Sequence, residues 1–162
     1  MPIDARHLGR RYGPYRFEVG LERIRDFVAA VGGGVPGRVF SAPPPDPHPF
    51  TWEEAAARAS RHRGLVAPPA FATAFAIQPF AVACSDPELG LNVLRLVHGE
   101  QEFELFGQLR PGDTYLCRTR VVDITQKAGR SGPMAFVTRE TAITDVDNEI
   151  VATMRHITVI RL

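Results

Sequence analysis

Cysteine is scarce in this sequence: Cys84 and Cys117 are the only two in 162 residues, and they lie far apart with neither a C-x-x-C spacing nor a neighbouring histidine cluster. That excludes a disulfide framework and a thiolate zinc site, so both are expected as buried thiols. An excess of one charge is missing too, with 19 Lys and Arg against 18 Asp and Glu. A nucleic-acid binder concentrates basic residues on one face, so no nucleic-acid partner is expected. No run of about 18 uncharged apolar residues occurs, and the charged N-terminal stretch has no apolar centre, so the chain reads as cytosolic, without membrane span or secretion signal. Gly32-Gly33-Gly34 follows a helical pattern and precedes prolines, which is the wrong setting for a phosphate loop. A G-x-S-x-G nucleophile elbow is also absent. Neither cofactor nor metal is expected.

What is present is an ordinary globular composition, 44% hydrophobic and 23% charged, at a length that suits a single domain over residues 1–162. Leu21, Ile24, Phe27, Val28 and Val31 form one stripe, predicting an amphipathic helix over 21–31. The Gly- and Pro-rich stretch 32–50 excludes helix and central strand and reads as an irregular loop. Thr51-Trp52-Glu53-Glu54 has the spacing of a capping box, which predicts a short helix with Thr51 at its start. Ala67-Pro68-Pro69 opens a second helix, since proline is tolerated in the first turn. Over 70–78 that helix carries Phe71, Phe75 and Ile77 among alanines, and a helix with no polar face must be surrounded by protein.

After Gly90 the pattern becomes that of strands and turns. Glu100, Glu102 and Glu104 alternate with Gln101, Phe103 and Leu105, one wet face against one dry. A turn at 109–113 is expected to fold Arg118 and Arg120 back opposite Glu102 and Glu104. Turns at 129–133 and 145–149 leave further strands over 134–144 and 150–160. The expected architecture is α+β: an antiparallel sheet wrapped around one buried central helix, the hot-dog fold. Its open edges, and apolar residues on both faces of 150–160, point to an oligomer.

The runs APPAF at 67–71, HGEQEFELFGQLRPGD at 98–113 and GPMAFVTRETAI at 132–143, with FEVGLERIRDFVAAVG at 17–32, resemble the N-terminal domain of MaoC-like dehydratases, the FAS1-like dehydratase group of the hot-dog superfamily. The resemblance implies acyl-CoA or acyl-carrier-protein (ACP) thioesters as ligands, with water added or removed across C2–C3. Active members carry an Asp and a His in a G-D-x-N-P-x-H run between the first and central helices, one to move the C2 proton and one to handle water or the C3 hydroxyl. Here the equivalent place holds Gly32-Gly33-Gly34-Val35-Pro36-Gly37-Arg38, with neither acid nor base. The resemblance therefore implies a subunit that shapes the acyl tunnel and acts with a catalytic MaoC-like partner, as homodimer or heterodimer. The alternative is a self-sufficient (R)-specific enoyl-CoA hydratase using His98 or His48, the latter in the run Asp46-Pro47-His48-Pro49.

His98 is the candidate catalytic residue, and its plainer reading is a strand histidine bonded to a neighbour. Phe71, Phe75 and Gln78 are the candidate substrate-binding residues along the central helix, with core packing as the plainer role for the two rings. Residues 67–84 contain no Asp or Glu, which counts against a thioesterase that takes its carboxylate from this helix. His7, His62 and His156 stand without an identifiable carboxylate partner and read as structural.

Overall fold

The computed structural model describes residues 3–31, 49–129 and 132–162. Most of the Pro-rich loop, including Asp46 and His48, lies outside them. In chain order the elements are β1 (Arg11–Glu18), α1 (Leu21–Val31), α2 (Pro49–Trp52), α3 (Glu54–Ala59), a 3-10 turn (Pro69–Ala72) leading into α4 (Thr73–Cys84), β2 (Leu96–Leu105), β3 (Thr114–Gly129), β4 (Gly132–Thr144) and β5 (Ile150–Arg161). The five strands form one antiparallel sheet in the order β1-β3-β4-β5-β2, with α4 lying across its inner face. This is the hot-dog arrangement expected from the sequence.

Strand alternation fixes which residues face α4. Along β4 the buried series is Ala135, Val137, Arg139, Thr141 and Ile143, and along β5 it is Ala152, Met154, Thr158 and Ile160 with His156 half-buried. Two dry clusters result. Phe71, Ala72 and Phe75 pack with Val19, Ile24, Tyr115, Cys117 and Ile143, while Ala83 packs with Leu89, Leu91, Val121, Val137 and Ile160. α4 continues through Pro79, whose missing N–H removes the bond it would make to the Phe75 carbonyl. Burial against the sheet holds the helix together across that gap. The sheet side of α4 is buried, and its outer face is open, with Ile77 66% and Val82 39% exposed. Of the two cysteines, Cys117 is buried and Cys84 half-buried.

Four local expectations are corrected. The central helix is covered on its sheet side and not surrounded by protein, and the stretch read as loop ends in helix, with Pro49 and Phe50 belonging to α2. Thr51 lies inside α2, and the residue that caps α3 is Glu53, which makes no side-chain capping bond. Arg118 and Arg120 do not face Glu102 and Glu104, because the turn at 109–113 carries the chain across the sheet instead of folding a hairpin. β2 pairs with β5, so Glu102 stands opposite Arg155. β3 pairs with β1 and β4, and Arg120 meets Glu140 at 2.8 Å while Arg118 reaches Thr144 at 3.1 Å.

Candidate functional site

β2 carries a bulge between His98 and Glu100. Gly99 permits it: a Cβ there would stand 2.9 Å from the Val159 side chain and 3.0 Å from the Ile157 carbonyl oxygen. The extra residue resets the alternation. His98 opposite Thr158 and Gln101 opposite His156 consequently both share the inner face, while Glu100 pairs with Ile157 on the other face. His156 in turn stands opposite Arg139 on β4. The register thus gathers Arg139, His156, Gln101 and His98 into a polar belt across the middle of the inner face, running from the buried sheet centre to the open β2 edge.

Ring and hydrogen-bond geometry ties the belt together. The His98 and His156 ring centroids are 4.5 Å apart, and the His98 Nε2 and Gln101 Oε1 are 3.1 Å apart. Phe80 comes down from α4 and stacks on His156, with centroids 5.2 Å apart and an interplanar angle of 14°. The Arg139 guanidinium lies 4.6 Å from the same ring's centroid, a cation–π contact on a desolvated charge. Arg139 is 2% exposed, lies beside the Cys84 thiol and donates from Nη2 to the Thr158 hydroxyl, while among the described residues its Nε and Nη1 and the His156 Nε2 have no hydrogen-bond partner. Burial lowers the Arg139 pKa from its ordinary value. Burial first, then the charges of Arg139 and His98, push His156 down to about 4, so it is neutral at pH 7. Among the described residues, no contact of His98, His156 or Arg139 is to a carboxylate. Among the described residues no group of His, Cys, Asp and Glu could hold a metal ion.

The other candidate residues are placed elsewhere. Phe71 and Phe75 are each 1% exposed, and Phe75 meets Phe17, Phe71 and Tyr115 edge to face at 4.4, 5.8 and 5.6 Å. Gln78 is exposed on the open side of α4 and borders a cleft of about 1000 Å³ with Ile77, Arg16 and Arg23. The structure therefore brings His98 together with Arg139, His156 and Gln101, and not with Phe71, Phe75 or Gln78. Arg139 was not singled out from the sequence. Its signal is nevertheless there, as one charge in the inward series of β4.

Residues 6–154 match the family described as FAS1-like, dehydratase domain region. A UPF0336 protein of Saccharopolyspora erythraea is 33% identical over 99% of this chain and 93% of its own length. Among solved structures, the C-terminally truncated HadBC (3R-hydroxyacyl-ACP dehydratase) complex of Mycobacterium tuberculosis has a TM-score of 0.75 at 23% identity, covering 94% of this chain and 96% of that one. A MaoC-like dehydratase of Rhodospirillum rubrum has a TM-score of 0.64 at 25% identity, covering 96% and 93%. No described helix is long and apolar enough to cross a membrane. With a family match running nearly end to end on a hot-dog sheet, the chain belongs to the FAS1-like dehydratase domain family, a hydratase/dehydratase group.

Proposed function

We propose that this chain is the acyl-thioester-binding subunit of a paired 3-hydroxyacyl dehydratase, completed by a partner that supplies the acid and base. The observation that carries this reading is the chemistry of the belt. Adding water across C2–C3 needs one group to move the C2 proton and another to activate water or the hydroxyl. His98 is bonded to an amide, His156 is held neutral under Phe80, and Arg139 stays a donor, so the belt can orient a polar group but has no acid–base pair. The likeness in fold to HadBC, itself a complex, supports a paired assembly. In this reading Phe71 and Phe75 set the apolar floor beneath α4, and Gln78 borders the acyl path on its open side. The edge strand β2, with Val97 55% and Leu105 40% exposed, is where a second hot-dog domain pairs, as a homodimer or with a catalytic sister.

The test is hydration of a short and a long enoyl-CoA by the purified chain, alone and after co-expression with a MaoC-like protein that carries the Asp/His run. Turnover is expected only from the co-expressed pair, which should run as one species in solution. Robust turnover by the chain alone, abolished by His98→Ala, would replace this reading with a self-sufficient hydratase.

A further inference from the structure

Among the described residues, Arg139 is the only Asp, Glu, Lys or Arg that the fold buries, at 2% exposure. A buried charge is costly unless it is paired. Of its donors, Nη2 serves the Thr158 hydroxyl, while Nε and Nη1 have no hydrogen-bond partner among the described residues. The Phe80 ring, 4.6 Å away, offsets part of the charge but offers these N–H groups no lone pair.

The ionisable groups that face Arg139 do not supply the missing negative charge. Cys84, from α4, lies beside it, and burial pushes that thiol's pKa up, so it is neutral at pH 7. Tyr12, from β1, also acts on Arg139, and its own pKa is pushed up to about 12, by burial first and then by its bond to Asp86. Asp86 is in turn held by Arg10, at 2.5 and 3.0 Å, and by the Tyr12 hydroxyl, at 2.9 Å. On β5, His156 is neutral, and its Nε2 is a further buried atom without a partner among the described residues. Water supplies lone pairs to such donors, but only an anion supplies the charge as well.

We propose that Arg139 is the receptor for a small monovalent anion, formate or chloride in size, which accepts from its Nε–H and Nη1–H beside the Phe80 ring. None of the described pockets is lined by Arg139, His156 or Phe80, so the site suits an ion of a few atoms and not a longer carboxylate. Phe80 is half-buried and directly follows Pro79, where α4 lacks a backbone bond, so this ring is the wall that moves to admit the ion. The ion also acts on the belt. Arg139 is one of the causes that depress the His156 pKa, and an anion that offsets its charge moves His156 back toward its ordinary range. Anion binding here is independent of the subunit reading above and adds to it a second, inorganic-sized ligand.

The probes are sodium formate, sodium chloride and sodium propionate, each replacing sodium gluconate at constant ionic strength and pH 7, with thermal unfolding of the full chain as the readout. Formate and chloride are expected to raise Tm saturably, by about 4–8 °C at roughly thirty times the dissociation constant, and propionate to have no effect over the same range. Arg139→Gln keeps a donor and loses the charge, and is expected to abolish the rise. Phe80→Ala opens the wall at a half-buried position, and is expected to let propionate act. NMR titration of the His156 ring should show its pKa moving up in formate in the parent chain and staying in place in Arg139→Gln. An equal rise in Tm in parent and Arg139→Gln, or a His156 titration that formate leaves unmoved in the parent, would overturn the assignment. A parent chain indifferent to all three salts would overturn it too, since water then serves both donors. Should Arg139→Gln fail to fold, Phe80→Ala decides, and propionate without effect there counts against the site. Enoyl-CoA hydration by the co-expressed pair judges the subunit reading separately.

Discussion

Phe71, in the turn leading into α4, and Phe75, in its first half, enter a dry cluster where each described neighbouring ring meets them edge to face, whereas Phe80, further along the helix, covers an arginine and a histidine. One helix thus closes over two kinds of sheet surface. Apolar burial alone accounts for the first half, at about 25 cal/mol per Å². The second half buries a guanidinium with two unpaired donors, which burial penalises and which hydrogen bonding and the Phe80 ring only partly offset. Stability should therefore reside in the first region and recognition chemistry in the second, and substitutions in the two should behave differently.

The largest effect belongs to the dry end. Phe75→Ala removes a side chain that is 1% exposed and touches three aromatic rings, and is expected to cost about 3–5 kcal/mol by urea unfolding. A loss below about 1 kcal/mol would mean that the dry cluster collapses around the gap and that the contrast between the two halves is false.

Next comes the pH dependence of the belt. The His156 pKa falls from 6.5 to about 4 on folding, so between these values the unfolded chain binds more protons than the folded one. Its contribution to stability is complete above pH 6.5 and is lost as the pH falls toward 4. At one pKa unit per 1.36 kcal/mol, the loss is at most about 3 kcal/mol. His156→Phe keeps a ring for Phe80 to stack on and should flatten unfolding free energy across that window relative to the parent chain. Identical slopes for parent and variant would place His156 in a solvated setting instead.

Arg139→Met sharpens the comparison by turning the belt into a third apolar patch. Removal of a buried charge that no acid balances is expected to leave stability unchanged or raise it by up to about 2 kcal/mol, the opposite sign to Phe75→Ala. The His156 pKa should rise at the same time, because the Arg139 charge is one of the causes that depress it. NMR titration of the His156 ring reads this directly.

Much of this contrast could be read from residue order. The helix over the apolar run at 70–78, the turn at 145–149 and the acid alternation of β2 reappear in the fold, because each is a local pattern with one satisfactory partner surface, while the turn read at 129–133 falls partly outside the described residues. β1 was not legible: Gly13-Pro14 interrupts its alternation, and the strand survives because an edge position tolerates a bulge and a proline. The supposed Arg118/Arg120 pairing failed because a Pro-Gly turn looks the same whether it closes a hairpin or crosses a sheet. The belt was half legible. His98 stood out within a family-like run, but His156 looked isolated, since Arg139, Gln101 and Phe80 reach it only through sheet register and the packing of α4. The hydrogen bonds that tie His62 to Gln108 and to Arg110 were invisible for the same reason, the three residues coming from two loops distant in sequence.

The smallest effect on stability is expected at His98, and it bears most closely on function. Its ring is exposed and its hydrogen bond joins an edge-strand neighbour, so His98→Ala should cost no more than about 1 kcal/mol. Removing it also removes one of the charges that depress His156, so the His156 pKa should move upward, by less than in Arg139→Met because His98 is the last of the three causes. In the co-expressed pair, a residue that only orients the thioester should reduce turnover mainly through KM and leave the pH–rate profile in place. A catalytic acid or base at this position would instead lower kcat by about 10²–10⁴-fold and delete one limb of that profile. The polar belt is then either a cradle beside someone else's chemistry or a reaction centre in its own right, and the limb of the pH–rate profile decides between them.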